Sequence, residues 1–230
     1  MSFIDKYPHL LNANGKDMKE EIKSFADHIG LNTIAPNRYS IILLVELFGG
    51  FKSGGLHIEK IMHEIRILED DEIQSQLKKP TQFTRPPLKG LWHKHYFEGG
   101  MNALLINLGM LTWDLKPNKN FSIPLFEQRI KEAEQGGRQE ISIDDSDAYE
   151  QIQLLVDDMV SGNWSRRTAA KALTGEWIVY AKYENQNYYL CLGKHQSTED
   201  NGIRKNDDEN IRQRVDYCIH QFPFLEGILV

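Results

Sequence analysis

Residues 175–225 carry the pattern that most limits what this chain can fold into. The stretch GEWIVYAKYENQNYYLCLGKH holds two alternating runs separated by a polar turn at 184–187. In the first run Trp177, Val179 and Ala181 alternate with Ile178, Tyr180 and Lys182. In the second, Tyr188, Leu190, Leu192 and Lys194 alternate with Tyr189, Cys191, Gly193 and His195. Period-two runs bounded by turn residues predict a β-hairpin. Both faces are rather apolar, so the hairpin is expected to be covered on both sides. A charged loop follows, then the helical run DDENIRQRVDYCIHQF. The chain therefore ends in a strand–strand–helix module.

Upstream the pattern is mostly helical. Met18, Ile22, Phe25, Ala26 and Ile29 recur at helical spacing over 16–29, and Gly30 can end that helix. The dense apolar run at 39–48 fits a buried helix or a buried strand. Asn37 or Ser40 before it, and Gly49 and Gly50 after it, favour a short helix. The longest helical stripe runs over 57–77, through Ile58, Ile61, Met62, Ile65, Leu68, Ile73 and Leu77. Pro80, Pro86 and Pro87 forbid a helix through 79–90. Further helices are expected at 101–111, at 126–135 and, capped by Ser146, at 147–160 with Gly162 as its stop, with a strand at 139–144. The fold class is α+β: a helix-rich N-terminal part, a small antiparallel sheet and a terminal helix. The expected division is 1–145 and 146–230, or one continuous domain.

The 230 residues carry a formal charge of −6. That balance favours solubility and argues against a non-specific grip on nucleic acid over the whole surface. Cys191 and Cys218 lie among apolar neighbours and read as buried free thiols, and no CxxC spacing suggests a zinc ribbon. The N-terminal MSFIDKYPHLL lacks a charged leader followed by an apolar core, and the longest apolar run is far too short to cross a bilayer. The expectation is a cytoplasmic protein with no membrane partner.

Three clusters can carry chemistry. In LWHKHYF, at 91–97, an extended backbone puts His93 and His95 on one face beside Lys94 and Tyr96. Two such imidazoles can act as base and acid around a phosphate, or as metal ligands. The plainer reading is a partly buried face of hydrogen-bonded histidines. A metal would need a third ligand, such as His195 or Glu98, that the spacing does not supply. The hairpin adds Lys182, Tyr188, Lys194 and His195, with His195 where the strand leaves the sheet. WSRRTAAK, at 164–171, places Arg166 and Arg167 beside an aromatic; arginine forks match phosphate oxygens, and a solvated helix start is the plain alternative. The glycine-rich GGFKSGG lacks the GxxxxGK[ST] pattern of a phosphate-binding loop.

The module at 175–225 resembles, in its order of elements, small ribonuclease toxins of the RelE, barnase and colicin-nuclease type. The resemblance is topological, covers about a fifth of the chain and matches no family motif residue by residue. It implies metal-independent RNA cleavage of the toxin or defence type, without a cofactor. On that reading His93, His95 and His195 supply base and acid, and Lys182 is a catalytic cation. Arg166, Arg167, Lys194, Tyr96 and Tyr188 hold the RNA. The partners would be RNA and a neutralising antitoxin. The alternative is a non-enzymatic interaction, regulatory or immunity factor.

Overall fold

The structure is a computed structural model. It describes residues 3–70, 72–99, 104, 107–108, 121–135, 145–173, 175–193 and 201–228. Its Cα positions form two compact units, Met1–Glu98 with Gly175–Val230, and Gly99–Thr174. The division expected at 145/146 differs because it treats the chain as read in order. Here the C-terminal segment returns to the N-terminal one, and the second unit is inserted between them.

The first unit is built on a four-stranded antiparallel sheet in the order β1-β2-β3-β4. Its strands are β1 (Thr81–Gln82), β2 (Trp92–Tyr96), β3 (Glu176–Tyr183) and β4 (Gln186–Gly193). The expected hairpin is β3–β4. Its turn residues Glu184 and Asn185 both take the left-handed conformation, φ 47° and 61°. Positive φ at both positions is what a two-residue turn between twisted strands requires. In 79–90, where prolines exclude a helix, β1 pairs with β2 through Thr81↔His93 and Gln82↔Trp92.

Helices cover both faces. Against one pack α1 (Lys19–His28), α2 (Leu31–Ile34), α3 (Ile41–Ser53) and α4 (Ile58–Glu69), meeting Trp92, Tyr96, Ile178, Tyr180, Tyr189 and Leu192. Ser40 caps α3 by accepting the Leu43 N–H. The apolar run at 39–48 is thus a helix, and it continues past Gly49 and Gly50 to stop at left-handed Gly54, φ 67°. α4 is shorter than the stripe at 57–77. Asp70 turns extended and its carboxylate accepts the Glu72 N–H at 2.9 Å, a local bond that competes with further helix. Ile73 and Leu77 therefore lie beyond it.

One charged pair lies under the sheet on this side. Lys94 is 1% exposed and Glu64 4%. The Lys94 ammonium donates to Glu64 at 2.7 Å, Ser75 Oγ at 3.1 Å and the Lys78 carbonyl at 3.0 Å. All three of its protons are used, so the group is a structural clamp between α4 and β2.

The terminal helix, Asn201–Gln221, and a closing 3-10 turn, Pro223–Ile228, cover the other face. Ile211, Val215, Cys218, Phe222 and Leu225 pack there on Val179, Ala181, Leu190 and Cys191. Both cysteines are free and buried. The outer edge of β4 is closed by the chain before α3: Tyr189 N–H donates to the Arg38 carbonyl and Ser40 N–H to the Tyr189 carbonyl, each at 2.8 Å.

The second unit contains α5 (Pro124–Gln135), α6 (Asp145–Asp157) and α7 (Asn163–Ala169), so the terminal helix is α8. The chain does not stop at Gly162. It passes through a π turn, Asp158–Gly162, straight into α7. Asp158, 1% exposed, organises this turn by accepting the Leu125 and Phe126 N–H groups at 2.8 and 3.2 Å and pairing with Arg166 at 2.7 Å. The helix expected at 101–111 falls outside the described residues except for 104, 107 and 108, and the strand expected at 139–144 falls wholly outside them.

Candidate functional site

His93 and His95 do share a face of β2, with ring centroids 5.4 Å apart. That face is covered. His95 is 4% exposed, and its Nδ1 lies 2.8 Å from the Gly175 carbonyl oxygen. His93 is half-buried between Phe83 and Trp177, at 4.5 and 5.0 Å between centroids. His95 is thus hydrogen-bonded, and both rings are packed against their neighbours.

The remaining sequence candidates do not converge on these rings. Tyr96 is one residue further along β2 and faces the other side of the sheet. Lys182 lies five residues along β3 from Trp177, the partner of His95, or roughly 17 Å at strand rise. Its ammonium sits over the Trp92 ring at 4.3 Å. Tyr188 belongs to an aromatic group with Tyr183, Phe222 and Phe224 near the hairpin turn. Arg166 and Arg167 are in the second unit and bound within it. Arg166 holds Asp158 and the Ser122 carbonyl, and Arg167 holds Asn107 and the Ala172 carbonyl. Lys194 and His195 lie outside the described residues.

A different set of side chains converges in the first unit. A cavity of about 630 Å³ opens at one end of the sheet, where β2 ends, β3 begins and β4 ends. The sheet contributes Tyr96, Glu176 and Leu192, and the residue two beyond β2 is Glu98. α3 contributes Glu46, Gly50 and Ser53. α8 contributes Asp207, Asn210, Ile211 and Arg214, one helical face along two turns.

The cavity is strongly acidic. Among the described residues it is lined by the carboxylates Glu46, Glu98, Glu176 and Asp207 against the single guanidinium of Arg214. Arg214 is spent on Glu46, whose other oxygen accepts the Leu192 N–H at 2.7 Å. Burial pushes the Glu46 carboxyl up from its ordinary range, although these two partners pull it down. Glu98, Glu176 and Asp207 form no ion pair with any described residue. Glu98 Oε1 accepts the His57 N–H at 2.6 Å, and the Glu98 N–H reaches Glu176 Oε2 at 3.3 Å. Glu98 Oε2 and Asp207 Oδ2 are buried and accept no hydrogen bond among the described residues.

Tyr96 completes the set. It is 2% exposed, and its hydroxyl makes no hydrogen bond among the described residues. Burial, then the charges of Glu176, Glu98 and Glu46, push its phenol well above its usual range. The hydroxyl is therefore protonated at neutral pH and stands among three cavity carboxylates. Such a site attracts and orients a cation. Among the described residues no group of three or more His, Cys, Asp and Glu is placed to hold a metal ion.

The sequence reading misses most of this site. Tyr96 and Glu98 are among the sequence candidates, in other roles; Glu46, a lone carboxylate in the apolar run at 39–48, is not. Glu176, Asp207 and Arg214 carry no local signal, because they meet only through the fold. Comparison with family profiles, with curated proteins and with solved structures found no match to this chain.

Proposed function

We propose that this protein binds a small organic cation in the acid-lined cavity of its first unit. One observation carries the reading: three carboxylates with no basic partner among the described residues, Glu98, Glu176 and Asp207, line a single cavity of about 630 Å³. That volume lies in the range of small-molecule sites. A buried carboxylate oxygen without a hydrogen-bond donor costs about 1–3 kcal/mol or more. Glu98 Oε2 and Asp207 Oδ2 both stand in that condition among the described residues, and an ammonium in the cavity supplies compensating charge beside them. Leu56, Leu192 and Ile211 give the cavity apolar wall for the carbon part of such a ligand.

Calorimetric titration with n-butylammonium chloride and with n-butanol, an uncharged analogue, tests the reading. Saturable binding of amines but not of the alcohol is expected, weakened in Glu98→Gln. Absence of binding by monoamines and polyamines alike would overturn it.

RNA cleavage is a proposal that rests on the sequence alone. The covered faces of His93 and His95 do not favour it, and a carboxylate-lined cavity repels a phosphodiester. A protein partner and a cytoplasmic setting are proposals of the same standing. No helix among the described residues is long and apolar enough to cross a membrane.

A further inference from the structure

We infer that the preferred ligand of the cavity is a linear aliphatic polyamine, carrying two or more ammonium groups on a methylene chain, rather than a monoamine. The inference rests on the organic-cation reading and deepens it.

The charge count comes first. Among the described residues four carboxylates and one guanidinium line the cavity, and the guanidinium is paired with Glu46. Three carboxylates are left, more than one ammonium can neutralise. They also stand on separate elements. Glu98 and Glu176 are tied together at the sheet end by the Glu98 N–H, while Asp207 belongs to α8. A single ammonium has three donors and serves one such station. A chain with an ammonium at each end serves both.

The second observation is independent of the acidic count. Tyr96 is 2% exposed, lines the cavity and has a hydroxyl without a hydrogen-bond partner among the described residues. Its oxygen can accept from an ammonium held by Glu98 and Glu176, so the sheet-end station has a neutral acceptor as well as charge. The apolar wall at Leu56, Leu192 and Ile211 suits methylenes and offers nothing to a hydrated metal ion.

The test is calorimetric titration of the full chain with spermidine, putrescine and n-butylammonium, and with a pentalysine peptide. Affinity is expected to rise by about tenfold or more with each ammonium that gains a carboxylate. Spermidine binding should weaken steeply as salt rises to about 0.5 M, because screening shortens the reach of each charge. Asp207→Asn should weaken spermidine about tenfold and by clearly more than it weakens n-butylammonium, whereas Glu98→Gln should weaken both alike. Both amides keep an acceptor oxygen, and circular dichroism checks that each variant folds. If Glu98→Gln does not fold, the Asp207→Asn arm and the ranking of amines in the unaltered protein decide. Equal affinity for n-butylammonium and spermidine would overturn the inference and leave the organic-cation reading intact. Tighter binding of pentalysine than of spermidine would also overturn it. Failure of every amine would remove the reading beneath it.

Discussion

Replacing Lys94 with methionine isolates the clamp beneath the sheet. The ammonium is 1% exposed and gives its three protons to Glu64, Ser75 and the Lys78 carbonyl. Methionine keeps most of the stem and removes the charge. Glu64, 4% exposed, is then left with the Ser75 hydroxyl alone, at 3.0 and 2.9 Å from its two oxygens. Removing one partner of a buried pair costs about 3–5 kcal/mol. That is a large share of the roughly 5–15 kcal/mol that holds a domain folded. With a urea slope of about 2 kcal/mol/M, the unfolding midpoint should drop by about 1.5–2.5 M. Pairing the change with Glu64→Met should restore most of the loss, because the stranded carboxylate is gone. The assay is urea unfolding followed by tryptophan fluorescence, run as a double-mutant cycle. A single-variant loss below about 1 kcal/mol, or a double variant that loses the sum of the two singles, would refute the reasoning.

Three further outcomes follow from the geometry. In Gly175→Ala the new Cβ would stand 1.9 Å from the Tyr96 carbonyl oxygen, a backbone atom that cannot swing away. The variant should lose about 1–3 kcal/mol, and an unchanged melting temperature would contradict that close approach. Cys191 and Cys218 are buried, and burial pushes the Cys218 thiol up to about 11. A thiol reagent at about pH 8 should therefore label the native protein only as fast as it opens, and prompt labelling of two thiols would contradict the packing around α8. Asp17 is held at about 2 by His9, 2.8 Å away, and by the Leu10 and Lys19 N–H groups. With its folded pKa depressed, its contribution to stability is present above the ordinary 3.8 and disappears as pH falls through about 2. His9→Ala should move Asp17 upward in an NMR pH titration, and an unmoved value would reject that cause.

The legible parts of the fold are those set by local pattern. The hairpin could be read from alternation and turn chemistry, and its turn falls at Glu184 and Asn185. The helix after Ser40 could be read from its cap, and α1 from its apolar spacing. The end of α4 could not, because the stripe through Ile73 and Leu77 continues while Asp70 stops the backbone. Nor could the inserted unit be seen. It depends on β2 pairing with β3, as in His95↔Trp177, across a long separation that no local pattern reports. At the candidate site, the shared face of His93 and His95 follows from strand period, but its covering by Phe83, Trp177 and Gly175 does not. The cavity was less legible still. Its carboxylates come from α3, the sheet end and α8; Glu46 is a lone acid in an apolar run, whereas Glu176 and Asp207 each look like an ordinary surface residue.

Whether that cavity holds cations is tested most directly by carboxyl-carbon NMR of the protein during a spermidine titration. Saturable shifts are expected at Glu98, Glu176 and Asp207, with a matching change at the Tyr96 ring. Exposed acids away from the cavity, such as Glu59 and Glu72, should stay still. Unmoved Glu98, Glu176 and Asp207 signals, or equal small drifts at Glu59 and Glu72, would contradict the account.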